Sequence, residues 1–208
     1  KGEMAFTSNN FFASENVDGN LEVQEKDNNL IVKSGDIEYE FSLRDGRALN
    51  NIRNDNRNVF RELPRMNFWR APTDNDFGSG DQYRLRLWDG ASHNLIYKYK
   101  GQEKQNGTVT VKYEVKPRGI EAKVDLAYTV NKDGSLTINA YYKALSDELP
   151  EMMRFGMIMT LNNDVNNFTW YGRGPHENYV DRNQDAFMGI WSGKVKDQAF
   201  EYYRPQET

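Results

Sequence analysis

Three consecutive segments alternate apolar and polar residues without a break, and that period of two constrains the fold more than any other feature. Thr108 to Val115 sets Val109, Val111, Tyr113 and Val115 against Thr108, Thr110, Lys112 and Glu114. Ile120 to Val130 does the same with Ile120, Ala122, Val124, Leu126, Tyr128 and Val130. Leu136, Ile138, Ala140, Tyr142 and Ala144 repeat it. Side chains on a strand point alternately to its two faces, so this pattern predicts antiparallel strands with one face buried and one wet.

The punctuation agrees. Asn106-Gly107, Pro117-Arg118-Gly119 and Asp133-Gly134 separate these segments, and Asp45-Gly46 follows the alternating Ile37, Tyr39, Phe41 and Leu43. Such residues supply the positive φ of tight hairpin turns. The run from Met152 to Leu161 is apolar on both faces and reads as a central, doubly covered strand. Only Asp81 to Gly90 reads as helix, with Asp81 as its cap and Gly90 as its stop. The fold expected is all-β, a large antiparallel sandwich.

Bulk properties narrow the function classes. With 208 residues the chain can bury a real core. A net charge of −4 leaves no basic footprint for nucleic acid and no polybasic signal for a membrane surface. No run of about 18 apolar residues spans a bilayer. Cysteine is absent, which removes disulfides and thiolate metal sites and leaves both cytoplasm and periplasm open. The chain opens KGEMAFTSNNFF without an initiator Met or a signal peptide and closes EYYRPQET on a strand-like pair, so it reads as a piece of something longer.

Two irregular segments concentrate costly side chains. NFWRAPTDNDFGSGD, residues 67–81, holds Trp69, Arg70, Asp74, Asn75 and Asp76. WYGRGPHENYVDR, residues 170–182, holds Trp170, Arg173, His176, Glu177, Asn178, Tyr179, Asp181 and Arg182. Flat aromatics beside carboxylates, amides and guanidinium groups suit a pyranose, which offers a CH face for stacking and hydroxyls for bidentate partners. The plainer reading is support. Loops crossing the end of a sandwich need Asp, Asn and Arg to satisfy stray backbone groups, with Trp69, Trp170 and Tyr179 plugging the core. On that reading Asp181 and Arg182 form a buried structural pair.

Other chemistries find less footing. Asp74-Asn75-Asp76 looks like the start of a calcium loop, but Gly78 stands at the fifth position and Leu85 where the closing glutamate belongs. His93 and His176 lack zinc spacing. No G-x-S-x-G elbow and no glycine-rich phosphate loop occur. A retaining glycosidase needs two carboxyls about 5 Å apart, and although Asp74, Asp76, Glu177 and Asp181 supply candidates, the sequence does not set their spacing.

RAPTDNDFG (70–78) and WYGRGPHENYVDR together resemble the paired signatures of the C-terminal domain of large, multidomain family 2 β-galactosidases. The strand NLIVKSGDIEYEFSLRDGRALNNI ahead of the first signature fits as well. The resemblance implies a β-supersandwich of the galactose mutarotase type, over residues 30–208 and truncated at its C-terminal end. Residues 1–12 resemble the last strand of a preceding immunoglobulin-like domain, with 13–29 as linker. It further implies that the acid/base and nucleophile glutamates, and the magnesium and sodium sites, sit on a TIM barrel outside this chain. No residue here is then catalytic, and the chain holds no cofactor of its own. The final strands, with a tryptophan of the galactose pocket, fall beyond Thr208.

One active-site element carries over. The family has a mobile loop at the rim of the barrel's pocket, and it matches Gly78, Ser79, Gly80 and Asp81, here shorter and richer in glycine. The implied partners are a galactoside, the barrel and immunoglobulin-like domains of the same protein, and further copies of it in a homo-oligomer. Two rival readings stay open, a free-standing carbohydrate-binding module and an aldose epimerase. For the latter, His176 and Glu177 are adjacent and point to opposite faces of a strand, which counts against a shared proton.

Overall fold

Five short strands meander from the first described residues in the order in which they occur. A computed structural model describes residues 20–176, 178 and 183–198, which fall into two compact units, residues 20–70 with 83–160 and residues 71–82 with 161–198. In the first, β1 (Glu22–Lys26), β2 (Asn29–Ser34), β3 (Ile37–Ser42), β4 (Leu49–Asn54) and β5 (Arg57–Asn58) form an antiparallel sheet in sequence order. Asp27-Asn28 and Asp55-Asn56, all at positive φ, close two of its hairpins. Both are two-residue loops of the kind that match the twist of paired strands.

The alternating segments form the second sheet. β7 (Leu95–Gln105), β8 (Thr108–Pro117), β9 (Ala122–Val130) and β10 (Leu136–Ala144) pair antiparallel in the order β10-β9-β8-β7. Val109, Val111, Tyr113 and Val115 of β8 are buried, as are Val124, Leu126, Tyr128 and Val130 of β9. They share one core with Leu30, Val32, Tyr39, Phe41, Leu49 and Ile52 of the first sheet. The rings of Phe41 and Tyr128 meet across it with centroids 5.7 Å apart. The Tyr113 hydroxyl donates to the carbonyls of Ser42 at 2.6 Å and Ala48 at 2.9 Å, so the buried phenol is satisfied by the opposite sheet. Two antiparallel sheets packed face to face make this unit a β-sandwich, as expected.

Local expectations need correction. β9 begins at Ala122, because Ile120 is taken into the turn after Pro117, where its carbonyl accepts from Ala122. Of the apolar side of β10, Leu136, Ile138, Ala140 and Tyr142 are half-buried and Ala144 is exposed, since it is an edge strand. Within Met152 to Leu161 only β11 (Gly156–Leu161) is extended, and it pairs with β6 (Phe60–Asn67) alone. Ile158 is 44% and Met159 51% exposed, so among the described residues it is not a doubly covered strand. Residues 1–19 lie outside the described residues, and the strand expected at 1–12 with them. Part of the stretch read as linker is β1, which pairs with β2 from Glu22↔Lys33 to Lys26↔Asn29. All its side chains are exposed, which is why no apolar pattern marks it.

A short helix, α1 (Asp74–Ser79), forms in the segment read as irregular, and the helix expected over Asp81 to Gly90 is two short ones, α2 (Asp81–Arg84) and α3 (Leu87–His93). Gly90 does not end α3. The helix runs through it because Trp88 and Ala91 are buried in the core, and tertiary packing outweighs the cost of a helical glycine. The stop is at Asn94, whose amide nitrogen Nδ2 donates to the Gly90 carbonyl at 2.9 Å.

Candidate functional site

The first irregular segment is organised by a capping box. Thr73 is the N-cap of α1, and its Oγ1 accepts from the Asp76 amide. Asp76 reaches back, its Oδ2 accepting from the Thr73 amide at 2.7 Å and from Thr73 Oγ1 at 3.1 Å. Two orphan amides of the first turn are satisfied reciprocally, with acidic side chains where the helix dipole favours them. Asp76 is therefore buried with its Oδ2 held at the helix start, while Asp74 and Asn75 face solvent. The three acidic and amide residues read as one cluster thus have two different jobs.

Gly78 to Asp81, the residues matched to the family's rim loop, form a corner. Gly78 and Ser79 end α1, and the Ser79 hydroxyl donates to the Asp76 carbonyl at 3.2 Å. Gly80 takes the left-handed conformation, φ +79°, and its amide closes the helix onto the Asp76 carbonyl. Asp81 then opens α2. Of the two glycines only Gly80 needs to be one, since Gly78 is helical.

Trp170 to Gly174 of the second irregular segment end the first strand of a two-stranded ribbon, β12 (Asn167–Gly174) with β13 (Phe187–Lys194). Trp170 lies opposite Trp191 in its register. The Trp170 ring stacks on Phe168, centroids 5.0 Å apart, and its Nε1 donates to the Arg173 carbonyl at 3.0 Å. Trp191 Nε1 donates to the carbonyls of Gly172 and Phe187. Phe168, Trp170, Phe187 and Trp191 share one face of the ribbon with Gly172, Gly174, Gly189 and Gly193. Both indoles are thus held by backbone while part of each ring stays open.

Arg173 has a structural role. Its Nη1 donates to the carbonyls of Asn183 at 2.8 Å and Ala186 at 3.0 Å, tying the return of the chain to the end of β12. His176 is exposed. Glu177, Tyr179, Asp181 and Arg182 lie outside the described residues, and the expectations placed on them with it. Asp74 to Asp81 share one compact unit with Trp170, Arg173 and His176, although some ninety positions separate them. Trp69 and Arg70 belong to the other unit, where Trp69 packs against the sandwich core and its carbonyl accepts from Asn67. Sequence reasoning missed Trp191, Phe168 and Phe187, whose signal was an aromatic-glycine alternation on both strands. Among the described residues no three His, Asp or Glu side chains gather as metal ligands.

Comparison with known proteins fits these segments into a family. The family described as beta galactosidase small chain matches residues 33–208, a span that includes both units and both irregular segments. The chain belongs to the beta galactosidase small chain family. Among curated relatives, a beta-galactosidase of Priestia megaterium is 39% identical over 143 residues, 69% of this chain and 14% of the relative. One from Clostridium acetobutylicum is 32% identical over 177 residues, 85% of this chain and 20% of that protein. A third, from Lactobacillus delbrueckii subsp. bulgaricus, is 31% identical over 192 residues, 92% of this chain and 19% of its own length. The small-chain match thus corresponds to a fifth or less of each of these relatives.

Proposed function

We propose that this small-chain sequence is the non-catalytic β-sandwich portion of a larger β-galactosidase that cleaves terminal β-D-galactosides with retention. The observation that carries the reading is the match to beta galactosidase small chain over residues 33–208, with relatives named beta-galactosidase of which it spans only 14–20%. The acid/base and nucleophile glutamates, and the magnesium and sodium ions implied by the resemblance, belong to a barrel elsewhere in that protein. Asp76, the buried carboxylate of the first segment, supports this division, because its Oδ2 is engaged in holding the helix start, a structural duty.

In this reading the chain contributes the corner from Gly78 to Asp81 to the rim of the barrel's pocket. Thr73 and Asp76 fix where α1 starts, and Gly80 fixes where the chain turns. A rim held in this way orders substrate against catalytic groups it does not itself supply. The other partners are the barrel and immunoglobulin-like domains of the same protein and its further copies. The test is an assay of nitrophenyl β-galactoside turnover by this 208-residue chain and by the full-length protein encoded in the same open reading frame. Turnover by the full-length protein alone supports the reading. Turnover by the short chain, abolished by Glu177→Gln, would overturn it.

A further inference from the structure

The outer face of the four-stranded sheet, away from the core, carries a trough of about 440 Å³ that no step above uses. Its floor comes from small residues in one cross-strand row. Ala127 of β9 lies between Lys112 of β8 and Asn139 of β10, and Gly101 of β7 extends the row beyond Lys112. A bulge between Tyr99 and Gly101 adds Lys100 to that rim. In the neighbouring row Tyr141 faces Asp125, and both line the trough.

These groups are braced. Tyr141 is 64% exposed, and Lys143 Nζ lies 5.2 Å from its ring centroid without lining the trough, which leaves the other side of the ring toward the opening. Asp125 is held by Lys143 at 3.0 Å and Lys123 at 3.3 Å, so its charge is compensated and its oxygens are fixed as acceptors. Asn139 adds an exposed amide. On the outward faces of these four strands lysines outnumber carboxylates, with Lys98, Lys100, Lys112, Lys116, Lys123 and Lys143 against Glu103, Glu114 and Asp125, although Lys112 Nζ itself pairs with Glu103 at 2.8 Å. A positive face on a chain of net charge −4 is a local arrangement that favours an anion.

We propose that this trough binds a small saccharide bearing an anionic group, its ring against Tyr141 and its anion toward Lys100 and Lys112. An aromatic face, a fixed carboxylate and an amide are complementary to a pyranose, and the ammonium groups of Lys100 and of Lys112, the latter shared with Glu103, to a phosphate or carboxylate on it. Two strand spacings and a two-residue step along the strand, about 12 Å between backbones, separate Tyr141 from Lys112, a span that their long side chains narrow to one sugar ring with its substituent. The inference concerns binding only and stands apart from the galactosidase reading.

Calorimetric titration of the 208-residue chain with galactose 6-phosphate, galacturonate, galactose and inorganic phosphate tests it. At least one of the two anionic sugars should bind about tenfold more tightly than galactose, and more weakly as salt rises. Which of the two binds better tells phosphate from carboxylate. Tyr141→Ala and Lys112→Gln should each weaken that binding about fivefold or more with unchanged melting temperature, because both side chains lie outside the core. Absence of saturable binding by both anionic sugars overturns the proposal. Galactose binding as tightly would remove the anion from it, and inorganic phosphate binding as tightly would remove the sugar; either result also overturns it, as does unchanged affinity in Tyr141→Ala.

Discussion

The indole of Trp191 fills the space that a side chain at Gly174 would need. A β-carbon at Gly174 would meet Trp191 Cδ1 at 2.6 Å and Nε1 at 2.7 Å. The ring is held by its bonds to the Gly172 and Phe187 carbonyls, so it has little room to yield. Gly174 is thus a glycine for reasons of close approach.

Gly174→Ala should therefore destabilise the ribbon by about 1–3 kcal/mol, the usual cost of overpacking. Denaturant melts of Gly174→Ala, Trp191→Ala and the double variant check it. The double variant should be no less stable than Trp191→Ala, because the clash disappears with the indole. A Gly174→Ala chain that melts like the wild type would contradict this account of the packing.

The capping box gives a second expectation. Thr73→Ala should cost about 1 kcal/mol, the usual loss at an N-cap. Asp76→Ala should cost about 1–3 kcal/mol, since it leaves the buried Thr73 amide and hydroxyl without their acceptor. Urea melts of both variants measure this. Losses of only a few tenths in each would mean that the capping bonds do not hold the segment.

Much of the sandwich was legible because burial imposes a period of two. Val109, Val111, Tyr113 and Val115 alternate in sequence and are all buried. β1 was silent because a fully exposed strand has no apolar side to reveal. α1 did carry a signal, the Thr73-x-x-Asp76 box, but Gly78 and Gly80 pointed to a loop; only the backbone shows one of them to be helical. Arg173 was named from its company, but its role as a tie to Asn183 and Ala186 depends on where the chain returns. Trp191 was missed because its importance lies in the glycines across the ribbon. The trough on the outer sheet face depends on Gly101, Ala127 and a bulge falling in register, which no single strand displays.

Charge on that outer face sets a pH expectation. Glu114 is held below the ordinary carboxylate range, first by the hydrogen bond from Lys123 at 3.1 Å, with burial opposing. Asp125 is lowered too, first by the bond from Lys143, with burial opposing and Lys123 adding less. Groups whose pKa is depressed in the fold contribute stability above their unfolded pKa and lose it as the pH falls through the folded value. Acid should therefore weaken this face. Lys123→Met should raise the titration midpoint of Glu114 more than that of Asp125, read by carboxyl NMR. An unmoved Glu114 would contradict the assignment.

The corner at Gly80 tests the central claim most directly. Gly78→Ala adds a methyl into open space within a helix, whereas Gly80→Ala forces a side chain onto a backbone at φ +79°. The first should stabilise by up to about 1 kcal/mol and the second destabilise by about as much, leaving both variants folded. The decisive measurement is kcat and KM for a β-galactoside in the full-length protein carrying each variant, beside its melting curve. The account predicts that Gly80→Ala shifts kcat and KM together while most of the protein stays folded, with Gly78→Ala close to wild type. Wild-type kinetics in Gly80→Ala would remove this corner from the rim of the active site.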